Sequence, residues 1–532
     1  LTIDDIKEQV TILSHFPTHL GEIRGQQRLA LNFLEQSKKR FSIIELPTGA
    51  GKSFLAVTAC NAYGESYVIT PTKALQSQYS QDFHGDSVQL RGRVNYPCTY
   101  NKPQQNRAVI HMIKQGQSFP MPDKYSSCAA APCIPLRNGK RKAFIEECER
   151  TSGSCPYTTM IEECQKHKLV IANPYSLIYI SYFGGHLSPR NLLVVDEAHD
   201  LEKVIRSIAT LNIVIKRTVY TKEIEHLSSP THWIAWLKRN EQTDTFKDKS
   251  ELEKYLAKLE KFEKSESAYG NKAITKVFHD HEKQTFTVTF IPEFIGGLAN
   301  ELLLNLGKKV VMMSGTIPDY KMFCQGLGIP EDDVDFLRVP SDFPVENRTV
   351  FLPTRDIDLS HKNWNKNLPI ACKEIERILK IYPNKRGIIH TPSYAKARQV
   401  VECLKSNRVI SHEPEDLHIK MDKFLKTEGA VFISPSVAQG MSFDGDLAEF
   451  QIIITPSYGN IDDPLTKNNL AKGLWHWYNT QALIVFLQQC GRVVRSKDDV
   501  GFTHLLDSRF NNLIRKTWKN IPEWFKLGLK KS

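Results

Sequence analysis

The run Glu45-Leu46-Pro47-Thr48-Gly49-Ala50-Gly51-Lys52-Ser53 has the residue types and spacing to hold a polyphosphate. It follows the apolar stretch 41–44 and precedes a helix-like pattern, Phe54, Leu55, Val57 and Thr58. A strand that turns through glycines into a helix leaves backbone N–H groups aimed into the turn, and the helix adds its positive end. Gly49 and Gly51 permit positive φ and a close approach to phosphate. Lys52 then reaches the β/γ-phosphates, and the Ser53 hydroxyl can hold Mg²⁺. The first glycine of the GxxxxGK[ST] pattern is missing, with Leu46 and Pro47 in its place. A chance Gly-rich turn is the competing reading. Alone, the run predicts nucleoside triphosphate binding and nothing about its use.

Three further sets could complete a reaction centre. In Asp196-Glu197-Ala198-His199, Asp196 is placed at a strand end to bind Mg²⁺ opposite Ser53, and Glu197 to orient or deprotonate an attacking water. An acid pair opening a helix is the alternative. Near the carboxyl end, a helix candidate over 480–490 runs into Gln488-Gln489-Cys490-Gly491-Arg492-Val493-Val494-Arg495. Arg492 and Arg495, three apart, share a helical face and can reach one phosphate. As arginine fingers across a cleft, their removal typically costs about 10³–10⁵ in rate; ordinary surface arginines are the alternative. Upstream, the Gln27 amide offers a donor and an acceptor to an adenine edge, or simply opens a solvated helix.

Cysteines form the last cluster. Six of the eleven (Cys98, Cys128, Cys133, Cys148, Cys155 and Cys164) fall within 98–164. In a large chain whose first ten residues do not read as a secretory leader, metal binding is favoured over disulfides.

These residues need strands to present them. Apolar runs at 67–70, 192–195 and 309–313 end in Pro71-Thr72-Lys73, Asp196-Glu197 and Ser314-Gly315-Thr316. Runs at 386–390, 430–433 and 451–454 end in Thr391-Pro392-Ser393, Ser434-Pro435-Ser436 and Thr455-Pro456-Ser457. Ligand sites in open parallel sheets form at the carboxyl ends of strands, so the repeated placement predicts an α/β fold. A length of 532 residues suggests three or four domains. Net charge is +11, which suits a polyanionic partner but equally a plain basic surface. No apolar run approaches the roughly 18 residues of a membrane span, so the expected setting is cytoplasmic, without a membrane partner.

In order and spacing, Gln27, Pro47–Ser53, Thr70–Lys73, Asp196–His199, Ser314–Thr316 and Gln488–Arg495 resemble a superfamily 2 helicase. Gly92-Arg93-Val94-Asn95-Tyr96-Pro97-Cys98, Cys155-Pro156-Tyr157, Asn173-Pro174-Tyr175, Ser341-Asp342-Phe343-Pro344 with Arg348, and Asp499 with Gly501 narrow it to the XPD/DinG-type iron–sulfur helicases. The matches run from about residue 24 to 510. The resemblance implies two RecA-like P-loop motor domains, with a cysteine-rich insert and a mainly helical arch insert in the first. Motor domain 1 would comprise 1–88, 166–203 and 285–338, the cluster domain 89–165, the arch 204–284, and motor domain 2 residues 339–532. In the arch, Leu252, Tyr255, Leu256, Leu259 and Phe262 recur at helical spacing and read as core.

A 4Fe-4S cluster needs four converging thiolates. The resemblance points to Cys98 and Cys155, with Cys133 and Cys148 as the middle pair. Cys128 can replace Cys133, and Cys164 reads as a small apolar helix residue. With no CxxC pair, a zinc ribbon fits less well but stays open, as does a metal-free insert. One departure stands out. The family's Glu-Gly-Φ-Asp run is here Gln439-Gly440-Met441-Ser442, so both acids are neutral and coupling of DNA binding to hydrolysis is in question.

The expectation is therefore an ATP- and Mg²⁺-dependent DNA helicase, acting in a pathway such as DNA repair. Gln27 would meet adenine, Thr48, Gly49, Gly51, Lys52 and Ser53 the phosphates, Asp196 with Ser53 the metal, and Glu197 the water. Gln488, Arg492 and Arg495 would sense the γ-phosphate. By resemblance a monomer moves 5′→3′ on single-stranded DNA and opens forked or tailed duplexes, with Thr72 and Lys73 on the backbone and Tyr96, Tyr157 and Tyr175 available for stacking. The rivals are an RNA or nucleoprotein remodelling ATPase with structural zinc, and a non-motor scaffold switched by ATP.

Overall fold

The structure is a computed structural model that describes residues 11–18, 21–82, 87–98, 100, 112, 127–131, 133, 138–152, 154–216, 224, 226–240, 249–269, 272–280, 282, 285–404, 406–435, 447–494 and 496–531. Arg495, Gln439, Gly440, Met441 and Ser442 lie outside these.

In chain order, β1 (Phe41–Glu45), β2 (Ser66–Ile69), β3 (Ser87–Leu90), β4 (Leu169–Ala172) and β5 (Arg190–Val195) belong to a first sheet. Next come β6 (Leu211–Lys216), β7 (Ala273–Asp280) and β8 (Thr285–Pro292), which form a small sheet of their own. The chain then returns to the first sheet with β9 (Gly307–Ser314) and β10 (Val334–Arg338). A second large sheet takes β11 (Val350–Leu352), β12 (Gly387–His390), β13 (Val409–Ser411), β14 (Val431–Ser434), β15 (Phe450–Ile453), β16 (Phe502–Leu505) and β17 (Leu529–Lys531).

Both large sheets have seven strands, in the orders β10-β1-β9-β5-β2-β4-β3 and β13-β14-β12-β15-β16-β11-β17. Every pairing in them is parallel. Helices cover such sheets on both faces, which is why β1, β2, β3, β4, β12, β14 and β15 are buried at every position. This is the expected α/β pair of RecA-like domains.

Register decides where the chemistry lies. Glu45 is level with Ser314 on one side and Arg338 on the other, and Val195 is level with Ile69 and Met312. The carboxyl ends of β1, β2, β5, β9 and β10 thus share one edge. The crossing to the second sheet starts from that edge. Val339 N–H donates to the Glu45 carbonyl at 2.9 Å, and Gln26 Nε2 donates to the Pro340 carbonyl at 2.6 Å.

The insert differs from its expectation in two ways. Besides the helices Pro230–Arg239 and Lys249–Tyr269, it carries the antiparallel sheet β6-β8-β7. Strand β8 alternates half-buried and buried residues throughout, the period-2 pattern of a sheet with one covered face. Because β8 pairs with both β6 and β7, the insert runs on to Pro292, and the return to motor domain 1 expected at residue 285 falls inside it. Leu252 and Leu259 are buried as expected, with Tyr255, Leu256 and Phe262 packed beside Trp233, Trp236 and Phe290. Among the described residues no helix is long and apolar enough to cross a membrane.

Phe450 of β15 is fully buried and stacks on Tyr382 with ring centroids 4.5 Å apart. Phe450→Ala is expected to destabilise the second large-sheet domain by about 3–5 kcal/mol, seen as a lower urea midpoint for its transition.

Candidate active site

The P-loop turn begins where the buried β1 ends. Gly49 and Gly51 both take φ 83°, and Gly51 caps the Lys52–Tyr63 helix in the left-handed region. A Cβ on Gly51 would lie 2.2 Å from Gln27 Nε2, so this position has no room for a side chain. Gln27 is itself buried and accepts the Arg24 backbone N–H at 2.9 Å, while Arg24 Nη1 donates to the Gly49 carbonyl at 2.8 Å. The Gly25–Gln36 helix start and the P-loop are therefore one unit. Beneath it, buried Glu45 receives Arg338 Nε at 2.5 Å. Arg338 Nη2 also donates to the carbonyls of Ile317 and Pro318, just past Ser314–Thr316.

Asp196 and Glu197 follow β5. The buried Asp196 accepts the Tyr79 hydroxyl at 3.0 Å on Oδ2 and the Glu197 N–H at 2.9 Å on Oδ1. Its pKa is raised, first by burial and then by the Glu197 charge, against the opposing pull of Lys52. A divalent cation here would stabilise the ionised carboxylate and so offset that rise. Glu197 moves the other way. Burial works against its charge, but Lys52, His199 and Arg492 outweigh it and hold the carboxyl below its ordinary range. The two carboxyls are thus pushed in opposite directions, Asp196 up and Glu197 down, as a metal ligand and a water-orienting base would divide the work.

Glu197 is also the only non-glycine among the described residues with positive φ, 50°. A side chain in the left-handed region costs on the order of 1–3 kcal/mol and persists where its surroundings over-determine it. The turn aims Glu197 into the space between the two large sheets, lined also by Thr48, Gly315, Gln488 and Arg492.

His199 joins three separate motifs. Its Nδ1 lies 2.7 Å from Ser314 Oγ, and its Nε2 hydrogen-bonds the Gln488 amide from the opposite domain. Carboxylate oxygens of Glu197 and Asp200 stand 3.4 and 3.3 Å from the two ring nitrogens. Gly491 closes on the P-loop so tightly that a Cβ there would sit 3.1 Å from Thr48 Oγ1. The second domain's side of the cleft is thus lined by Gln488–Arg492, at and just past the end of a helix spanning Trp475–Cys490.

The structure brings Gln27, Thr48, Gly49, Gly51, Lys52, Asp196, Glu197, Gln488 and Arg492 to one cleft, with Ser53 in the first turn of the P-loop helix. It leaves Arg495 undescribed. Sequence reasoning quoted His199 and Ser314 but gave neither a role, although a histidine two residues after an ionised acid is a readable signal. Tyr79 and the Glu45–Arg338 pair had no such signal, since only register and packing bring them in.

The cysteines converge less completely. An isolated bridge between Pro97 and Ser127, and a 2.7 Å hydrogen bond from Cys128 N–H to the Tyr96 carbonyl, set Cys98 and Cys128 in neighbouring segments. Cys155 is the N-cap of the Pro156–Lys166 helix. Its thiol is lowered to about 5, first by a hydrogen bond from Cys128 and then, against burial, by the N–H groups of Thr158 and Tyr157. Cys148 is raised by burial and by the charges of Cys98, Cys155 and Cys133. Cys164 stands apart, its sulfur 3.6 Å from Met160 Sδ in the core of the first sheet. Among the described residues, no three His, Cys, Asp or Glu side chains are close enough to hold a metal ion.

Gly51→Ala is expected to lower nucleotide affinity by at least about tenfold, because the turn must shed both its backbone conformation and its contact with Gln27. Equilibrium titration with a fluorescent ATP analogue measures this, and Ala50→Gly is expected to leave affinity within about twofold.

Comparisons with known proteins agree with this geometry. Residues 20–229 match the family model of the type III restriction enzyme res subunit, and residues 375–528 that of the helicase C-terminal domain. An XPD helicase structure superposes with a TM-score of 0.61 at 14% identity, covering 96% of this chain and 100% of the other. XPD in its apo form gives 0.53 at 14%, over 90% and 95% of the two chains. Xpd4 of S. tokodaii gives 0.53 at 14%, over 96% and 100%. At that identity the structural likeness establishes the fold. With a type III restriction enzyme res subunit and a helicase C-terminal domain matched in order along it, and its motifs meeting at one inter-domain cleft, the chain has the fold of the XPD helicases and resembles an XPD/DinG-type superfamily 2 helicase.

Proposed function

We propose that this protein is an ATP-dependent DNA motor that moves 5′→3′ on single-stranded DNA and separates duplex strands. The observation that carries the hydrolytic part is the closure across the cleft: Arg492 from one domain acts on Glu197 of the other, and His199 bonds both Ser314 and Gln488. A reaction at the P-loop would be felt directly by the second domain. DNA as substrate and the 5′→3′ sense rest on the resemblance to XPD/DinG-type members.

Lys52 is assigned to the β/γ-phosphates and the P-loop N–H groups, with Thr48, Gly49 and Gly51, to the phosphate oxygens. Gln27 lies against Gly51, where it can serve the adenine end or hold the loop. Ser53 and Asp196 would hold Mg²⁺, which supplies charge neutralisation on the phosphates. Ionised Glu197 orients the attacking water, while Gln488, Arg492 and Arg495 meet the γ-phosphate. Hydrolysis detaches the γ-phosphate, and its release as inorganic phosphate removes the charge that Arg492 faces, so the cleft loosens and the domains shift along the strand.

For the insert we propose iron–sulfur ligation by Cys98, Cys148 and Cys155 with either Cys133 or Cys128. Cys155 favours the thiolate a cluster needs, and its hydrogen bond with Cys128, which pushes the Cys128 thiol up, places that sulfur beside it as a candidate fourth ligand. When bound, the cluster would supply a rigid cross-link between the segments that carry these cysteines.

Lys52→Ala is expected to abolish single-strand-stimulated ATP hydrolysis, and unchanged turnover would overturn the site assignment. On duplexes tailed at either end, unwinding is expected only from the 5′ tail; equal activity on RNA, or none on DNA with ATP still consumed, would favour a remodelling ATPase. Anaerobically purified protein is expected to hold iron and acid-labile sulfide, both lost in Cys155→Ser, whereas zinc without sulfide would replace the cluster by a structural zinc site.

A further inference from the structure

The Trp475–Cys490 helix is attached to the first domain at both ends, and the mechanism above uses only one of them. At its carboxyl end, Gln488 bonds His199, which in turn bonds Ser314. At its amino end, His476 Nε2 lies 2.8 Å from Asp319 Oδ2. Asn520, from the turn after the Arg509–Thr517 helix, donates to the same oxygen at 3.3 Å. The other Asp319 oxygen caps the Tyr320–Leu327 helix by accepting Met322 N–H at 3.0 Å. Asp319 is therefore a fixed carboxylate, held by its own helix and presented to the second domain.

Ser314 and Asp319 belong to one short segment, Ser314-Gly315-Thr316-Ile317-Pro318-Asp319, pinned by Arg338 through the carbonyls of Ile317 and Pro318. Five residue steps span at most about 17 Å of chain. From His476 to Gln488 the helix rises about 18 Å. The two lengths match, so a single stretch of the first domain can grip one rigid helix of the second at both ends. A second pair lies nearby: Glu293, just past β8, bonds Asn468 at 3.0 Å and Lys472, in the turn leading to this helix.

We propose that Asp319 and His476 are positioning residues for hydrolysis: they fix the amino end of the helix so that its other end holds Gln488 and Arg492 against Glu197 and the P-loop. A rod held at one end can swing, and a small swing about Gln488 displaces Arg492 from the γ-phosphate. Held at both ends, it keeps one orientation. The assignment rests on the ATPase reading above. The His476 side chain is 58% exposed, so its bond adds little to folding stability, and its contribution lies in orientation.

The test is steady-state ATPase on single-stranded DNA for His476→Ala, His476→Gln and Gln488→Ala, with the His476→Ala/Gln488→Ala double variant. His476→Ala is expected to lower kcat about tenfold while KM for ATP stays within about twofold, because nucleotide is held by the first domain. His476→Gln keeps an N–H donor and is expected to recover most of kcat. The double variant is expected to be no slower than the slower single variant, since both act on one orientation. Three outcomes each overturn the proposal: kcat for His476→Ala within about twofold of the parent, equal losses in the Ala and Gln variants, or multiplicative losses in the double variant. A fall in thermal midpoint that accounts for the lost activity does so as well. Lys52→Ala run alongside separates the two failures: normal turnover there overturns the ATPase reading, whereas lost turnover there with an unaffected His476→Ala overturns this assignment alone.

Discussion

The parallel register of the first sheet is the constraint on which the rest depends. With Glu45 level with Ser314 and Arg338, and Val195 level with Ile69 and Met312, five strands end on one edge. Segments far apart in sequence then emerge side by side: the P-loop, the Asp196–His199 turn and the Ser314–Asp319 segment. Parallel strands need long crossovers, and those crossovers leave room for the cysteine-rich segment between β3 and β4 and the second insert between β5 and β9. The motor sheet is undisturbed by either.

Charge then refines what register places. Asp196 is pushed toward its neutral form by burial and by Glu197, while Glu197 is kept ionised by Lys52, His199 and Arg492. The last of these comes from the other domain, so part of what holds Glu197 ionised is supplied across the cleft. The strained Glu197 backbone serves the same end by aiming the carboxylate into the cleft. Below, Glu45 and Arg338 tie the foot of the P-loop to the segment after Ser314 and to the start of the crossing into the second domain.

Much of this was legible. The strand runs, the P-loop, Asp196–Glu197 and Gln488–Arg492 could be read because each is a local pattern with a local cause: apolar runs for covered strands, glycines for a turn, polar residues at strand ends. The insert was harder. Its helix stripe was readable, but the resemblance placed its end at residue 284, before β8, and an apolar-alternating strand carries no mark of which partner it will pair with. Among the cysteines, Cys128 read as a substitute, yet packing makes it the hydrogen-bond partner of Cys155.

Sequence by itself determined the kinds of chemistry available and the order in which they occur: a phosphate loop, an acid pair, a late arginine and a cluster of thiols. Tertiary structure alone decided which of them act together. His199 became the joint between domains, Tyr79 a partner of Asp196, and Asp319 a carboxylate facing His476, because each depends on residues more than a hundred positions away. No local pattern encodes such pairs; they follow from strand register and from the closure of one sheet upon another.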